Sequence, residues 1–383
     1  MEKRDVYLDN AATSHPKPEC VLTAMRAALT GFNANPGRSG HRRSLEAARA
    51  VLAAREAVAA VLGARDPFCV AFAFNCTDAL NLAIKGALRT GDHVISTLLE
   101  HNSVLRVLAE KLRREEIELT LLTPRPDGFI DPEDVRGALR KNTRLIAVTH
   151  ASNVTGAIQP VAAIGQVARE AGVPFLVDGA QALGSMPVDV NALNCQLYAF
   201  PGHKGLLGPQ GTGGLYIDAE LDLQPLREGG TGSSSESMLQ PTERPERYES
   251  GTLNLPGLAG LGAGARYVGE ALAQIFMRER EVTTALYDGL REIAGVEVYA
   301  PAEEAARAGI VSFNAGDLTS SEAADYLARE DIAVRGGLHC APKMHDALGS
   351  GRNGLVRASL SEFNSPAEVE QFLAAAEEIA ARF

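Results

Sequence analysis

The chain has 383 residues, 45% of them hydrophobic and 22% charged, enough for a full core and for two domains rather than one. With 48 Asp and Glu against 37 Lys and Arg, a formal charge of -11 and no long basic run, it is a poor fit for a nucleic-acid grip. Five irregularly spaced cysteines, and apolar runs well short of the roughly 20 residues of a membrane span, argue against a disulfide scaffold and a spanning helix and predict a soluble, cytoplasmic protein.

Residues 6–8 read as a short strand stopped by Asp9-Asn10. Over 45–62, Leu45, Ala48, Val51, Leu52, Val58 and Leu62 recur at helical spacing, and Gly63 can cap the end. A strand–helix alternation follows. Strands are predicted over 69–74, 93–97, 118–122, 145–149 and 174–177, with helices over 77–88, 103–114, 131–139 and 161–171 between them. Asp131-Pro132 opens one of these helices as an N-cap and a first-position proline. Residues 196–199 and 214–217 read as two more strands. Short apolar strands with helices between them imply the α/β class, a mainly parallel sheet covered on both faces. The stretch 228–252 is polar, aperiodic and rich in Gly, Ser and Pro, and reads as a long surface loop. Helix returns over 258–293, in two pieces or as one connector. Strands over 296–299, 310–314 and 332–335, with helices over 320–328 and 366–380, predict a smaller α+β domain that the first 15 or so residues join.

Only seven lysines occur among the 37 basic residues. Lys204 stands in Phe200-Pro201-Gly202-His203-Lys204-Gly205, directly after a strand, where small residues let a ligand approach the backbone while the amine reaches it. An ordinary loop lysine is the plainer account. Asp178 ends a strand, where α/β sheets gather ligands. It can cap a helix or, facing a pyridine nitrogen, keep that nitrogen protonated. Between a strand and a helix lies Asn75-Cys76-Thr77-Asp78, where the helix start can hold a phosphate with help from the Thr77 hydroxyl, or Thr77 can simply cap. The glycine-rich turn 208–214 matches neither a Walker loop nor a dinucleotide fingerprint and reads as tight backbone packing. His339-Cys340, with glycines before and Pro342 after, reads as a loop whose cysteine core packing does not explain, and nearby positive charge favours a thiolate there. His339, Cys340 and His345 lack the second cluster a metal site needs. Arg357, in an apolar strand-like run, wants a carboxylate from the protein or from a substrate. His101 follows a strand and can stack on a planar cofactor, move a proton, or be a plain loop residue.

Taken in this order, the residues resemble the class V branch of fold-type I pyridoxal-phosphate (PLP) enzymes, and within it the cysteine desulfurases of the SufS-like and selenocysteine lyase group. The match runs from Tyr7-Leu8-Asp9-Asn10-Ala11-Ala12-Thr13 to Ser359-Leu360-Ser361-Glu362-Phe363-Asn364. It rests most on Gly202-His203-Lys204, on Val177-Asp178-Gly179-Ala180-Gln181 and on the Arg-x-Gly-x-His-Cys-Ala-Pro segment from Arg335. The resemblance implies an aspartate-aminotransferase-like fold. A large PLP-binding α/β domain over 16–257 would hold a mainly parallel, seven-stranded mixed sheet between helices, and 1–15 with 258–383 would form the small α+β domain.

Residue by residue, Lys204 is similar to the lysine that bonds the cofactor covalently, Asp178 to the partner of its pyridine nitrogen and Gln181 to the contact with its phenolic oxygen. His101 resembles the ring-stacking histidine. Thr77, the backbone at Cys76 and His203 resemble phosphate-site groups. Thr252 is similar to a threonine that reaches the neighbouring subunit's phosphate in a homodimer, which makes 228–252 an active-site and interface loop. Asn153 and Arg357 resemble the groups that hold the substrate carboxylate, and Cys340 the nucleophile that accepts sulfur. The implied reaction converts L-cysteine to L-alanine, with a persulfide on Cys340 and a protein as possible sulfur acceptor. Selenocysteine lyase, another class V aminotransferase or lyase, and a non-catalytic sulfur-transfer scaffold are the alternatives. Two residues depart from the family pattern. Pro201 replaces the usual Ser or Thr and has no hydroxyl or N–H to give a phosphate, and Ser361 replaces a smaller residue. The compact segment from Arg335 to Cys340 fits the SufS-like group.

Overall fold

A computed structural model of the protein describes residues 5–37, 39–233, 236–351 and 353–382. Residues 1–4, 352 and 383 of the expected small domain lie outside these, as do Arg38 and, in the polar stretch, residues 234 and 235. The chain opens with β1 (Val6–Tyr7), α1 (Glu19–Thr30) and α2 (Arg42–Leu62). The sequence reading missed α1, which starts after Pro18 without a side-chain cap and buries only Val21 and Ala28. Gly63 closes α2 in the left-handed region, as expected. The buried stripe of α2 differs from the expected one. Leu45 and Leu52 are 47% and 38% exposed, and the covered face is built by Ala47, Val51, Ala54 and Val58.

The alternation then follows in full: β2 (Val70–Ala73), α3 (Cys76–Ala87), β3 (Asp92–Thr97), α4 (Asn102–Arg113), β4 (Ile117–Leu122), α5 (Pro132–Gly137), β5 (Thr143–Thr149), α6 (Val161–Ala171), β6 (Phe175–Asp178), β7 (Leu197–Pro201) and β8 (Gly213–Ile217). These strands form one seven-stranded sheet in the order β2-β8-β7-β6-β5-β3-β4. Neighbours are parallel from β7 to β4, and β8 runs antiparallel to both β7 and β2. Every residue of β6, β7 and β8 is buried, which suits strands covered on both faces.

The polar stretch that follows is irregular except for a 3-10 turn at Glu246–Tyr248, yet Tyr248 and Glu249 are buried. Glu249 holds it to the core. Its carboxylate takes two hydrogen bonds from Arg55, at 2.6 and 2.8 Å, and one from the Phe72 amide at 2.6 Å.

A single 38-residue helix, α7 (Leu255–Glu292), resolves the choice between two pieces and one connector. It packs on α1 and α2 and on the turn after Lys204. Glycine permits this: a Cβ at Gly262 would lie 2.7 Å from the Ala54 Cα, and one at Gly264 2.3 Å from the Leu206 carbonyl oxygen. The chain ends with β9 (Val296–Tyr299), β10 (Ile310–Ala315), α8 (Ser320–Arg329), β11 (Ile332–Ala333), β12 (Arg335–Gly337), α9 (Pro342–Leu348), β13 (Leu355–Ser359) and α10 (Pro366–Arg382). The strand predicted over 332–335 is two strands in different sheets. β11 pairs in parallel with β1, whereas β12 joins the antiparallel order β12-β13-β10-β9. Pro342, read as loop punctuation, is instead the first residue of α9, where a missing N–H costs nothing.

Candidate active site

A cleft of about 240 Å³ lies beyond the carboxyl ends of the parallel strands. Thr149 and Asp178, the last residues of β5 and β6, line it, as do Pro201 at the end of β7 and His101 just after β3. This is where an open α/β sheet exposes strand ends and helix starts together. Lys204, Asp178, Gln181, His101, Cys76, Thr77, His203, Asn153 and Arg357 all line this cleft.

The turn that carries Lys204 is clasped by the N-terminal segment. Thr13 and Ser14 hydroxyls and the Lys17 amine donate to the His203 carbonyl, and Ser14 also reaches that of Lys204. The sequence reading passed over this clasp, since nothing local ties residues 13–17 to 203. Burial and the nearby Arg357 guanidinium pull the Lys204 ammonium down to about 8, so near neutral pH a real fraction is a free, nucleophilic amine. Asp178 is 4% exposed. Burial pushes its carboxyl up, opposed by the Ala180 amide, Lys204 and Cys76. The Ala180 amide and the Cys76 thiol both donate to its Oδ1, at 3.0 and 3.6 Å. Gln181 donates to the Ala11 carbonyl at 3.1 Å.

The start of α3 forms the anion-binding end of the cleft. Its cap is Asn75, whose Oδ1 accepts from the Asp78 amide at 2.9 Å, which corrects the capping role weighed for Thr77. The amides of Cys76 and Thr77 remain the unclaimed donors of the first turn among the described residues. Thr77 instead pairs its hydroxyl with that of Ser103, at 2.7 Å. Pro201 adds no donor, so Thr77, His203 and these amides make up the polar set. His203 is held neutral by burial and by Lys204 and Lys17, at about 4, with its Nδ1 3.1 Å from the Thr13 hydroxyl. His101 caps α4, its Nδ1 accepting from the Ser103 amide at 3.0 Å. Burial and the positive charge of Lys204 hold that imidazole down at about 4.

Arg357 finds a protein carboxylate. Its Nη2 donates to Asp9 and its Nη1 to the Asn153 carbonyl, both at 2.9 Å, while its buried Nε has no partner among the described residues. The Asn153 side chain donates to the His339 carbonyl at 2.7 Å. Cys340 is exposed and stands outside the lining of the cleft, with its Sγ 3.8 Å from Arg335, a residue that does line it. The Cys340 carbonyl accepts from the Asn102 amide at 2.7 Å, so the thiol's segment and His101 hang on the same helix start. His339 and Cys340 both sit in the left-handed region, at φ 49° and 58°, a strained pair for residues with side chains. Thr252 is not brought to this cleft. It is exposed and lines a separate small pocket with Phe72, Phe74 and Arg227.

The chain is similar to known proteins along nearly its whole length. The sequence pattern of the aminotransferase class-V family matches residues 6–372. A probable cysteine desulfurase of Methanothermobacter thermautotrophicus is 36% identical over 98% of this chain and 94% of its own. A cysteine desulfurase of Klebsiella pneumoniae is 34% identical over 98% of this chain and 93% of its own. The apo structure of a cysteine desulfurase from Thermococcus onnurineus superposes with a TM-score of 0.93 at 36% identity, covering 99% of this chain and 95% of that one. The chain therefore belongs to the class-V aminotransferase family, in its cysteine desulfurase branch.

Proposed function

We propose that the protein is a PLP-dependent cysteine desulfurase that converts L-cysteine to L-alanine and leaves the sulfur as a persulfide on Cys340. One observation carries the reading. A lysine whose amine is partly neutral, a buried carboxylate, a neutral imidazole and two unclaimed helix amides face one cleft, and a thiol stands at its edge. The residues suit the cofactor. The α3 amides with Thr77 and His203 would hold its phosphate, Asp178 its pyridine nitrogen, Gln181 its phenolic oxygen and Lys204 its aldehyde. Bound PLP supplies an electron sink for the pair released from the substrate's Cα–H bond. The Lys204 amine takes that proton. Arg357, already oriented by Asp9, holds the substrate carboxylate with Asn153 beside it. The Cys340 sulfur, 3.8 Å from Arg335, attacks the substrate sulfur; the sulfur–Cβ bond breaks, its electron pair stays with the three-carbon skeleton that is protonated to alanine, and the sulfur remains on Cys340 as the persulfide. Thr252, exposed and away from Lys204, fits a phosphate contact across a homodimer interface, and the persulfide suits transfer to an acceptor protein.

Alanine and persulfide formation from L-cysteine and L-selenocysteine, in wild type and Cys340→Ala, tests the reading. Both proteins should load the cofactor, and only wild type should form persulfide from cysteine. Full cysteine turnover by Cys340→Ala would sink the assignment. Activity on selenocysteine that survives the substitution, with little on cysteine in wild type, would mark a selenocysteine lyase.

A further inference from the structure

Ser103 was not among the residues singled out from the sequence, yet it lines the cleft and sits between two groups that were. Its hydroxyl is 2.7 Å from the Thr77 hydroxyl and 2.9 Å from Nδ1 of His101, and its amide is 3.0 Å from the same nitrogen. The amide contact gives the chain of protons a direction. A backbone amide can only donate, so Nδ1 carries a lone pair and the ring proton is on Nε2. An unprotonated Nδ1 has nothing to give the Ser103 oxygen, so in that contact the hydroxyl is the donor and shares the one lone pair with the amide. Its single hydrogen is spent there, so the contact with Thr77 has Thr77 as donor. The direction runs Thr77 to Ser103 to His101.

We propose that Ser103 is a positioning residue, which holds His101 as the Nε2–H tautomer and couples the imidazole to the phosphate-binding start of α3. The inference deepens the desulfurase reading and rests on it for the role of His101, though the relay itself belongs to the protein alone. It has a chemical consequence. His101 then offers the cleft a hydrogen-bond donor, so its first act on a substrate sulfur or carboxylate is to give a hydrogen bond rather than to take a proton. Occupancy of the phosphate end also competes for the Thr77 hydroxyl, which frees the Ser103 oxygen to accept elsewhere while its hydrogen stays on Nδ1. The charged groups facing His101 are Lys204, Arg335, Arg106 and Arg357, all cations, which oppose a second ring proton.

Nuclear magnetic resonance of histidine-labelled protein without cofactor tests the relay, with the His101 signals assigned by their loss in His101→Gln. Wild type should show Nδ1 unprotonated and Nε2 protonated. Ser103→Ala should bind PLP within about threefold of wild type but raise the proton affinity of His101 up to about tenfold, because one donor to the neutral form is gone. Ser103→Thr, which keeps the hydroxyl, should restore the wild-type titration. A wild-type His101 with its proton on Nδ1, or a Ser103→Ala titration identical to wild type, would overturn the proposal. Failure of wild type to bind PLP would sink the functional reading instead, and the cofactor-free spectra would still decide the relay.

Discussion

Lys204 concentrates the chemistry of the cleft, and its lowered ammonium gives a pH test. The free amine is the form that attacks an aldehyde. The rate at which cofactor-free protein takes up PLP should therefore climb with pH, about tenfold per unit at its steepest, and level off above about 8, where Lys204 is deprotonated. A rate flat from pH 6 to 9 would contradict the role. Lys204→Ala should lose the absorbance of the bound cofactor. Asp178→Asn should keep it but lower kcat by about 10²–10³, the usual loss when one preorganised electrostatic partner goes. Much of this was legible in the sequence. Lys204, Asp178 and His101 each stand at or shortly after the end of a strand, so the order of the chain already set them at the carboxyl ends of the sheet. What could not be read were contacts between residues far apart: Asp9 pairing with Arg357, residues 13–17 clasping 203–204, and Ser103 joining Thr77 to His101. No periodicity reports such pairs. Arg357 has the protein carboxylate the sequence allowed for, in Asp9, and it also lines the cleft, where a substrate carboxylate would need it.

Helices with one plain apolar stripe and a cap, such as α6, were predictable to the residue. Elsewhere the pattern misled for identifiable reasons. In α2 small alanines face the core because α7 approaches closely, which leaves the larger Leu45 and Leu52 outward. Residues 332–335 read as one strand, but the chain switches sheets at residue 334. The polar stretch 228–252 looked loose because its anchor is an ion pair with Arg55, distant in sequence. That anchor is testable. Arg55 and Glu249 side chains are 4% and 5% exposed and bidentate, so removing either alone strands a buried charge. Arg55→Met or Glu249→Gln should each cost about 3–5 kcal/mol in chemical denaturation, and the double variant less than the sum. Strictly additive losses would show that the pair is not coupled. Glu249→Gln should also weaken any dimer that Thr252 helps to complete.

At the scale of the molecule, the packing around the cleft leaves several ionisable groups buried neutral, and their signs set how stability follows pH. His101, His150 and His203 are held at about 4 in the fold, below their ordinary value, so they stabilise fully above about 6.5 and lose that contribution as pH falls toward 4. Glu100, buried between Thr97 and the Thr149 amide, is pushed up to about 8. Its contribution is present at low pH and declines from about 4.5 up to 8, by at most about 1.4 kcal/mol per pH unit. Between about pH 4 and 8 the cofactor-free protein should thus be most stable near pH 6.5, and Glu100→Gln should flatten the decline between 6.5 and 8 in thermal unfolding. An unchanged alkaline slope in that variant would contradict the burial argument. The measurement closest to the core of the account is intact-mass analysis of cofactor-loaded protein after brief exposure to L-cysteine, with peptide mapping of the product. One sulfur atom should be gained on Cys340 in wild type and none in Lys204→Ala. No added sulfur, or sulfur found on Cys76 or Cys20 with Cys340 untouched, would contradict the assignment.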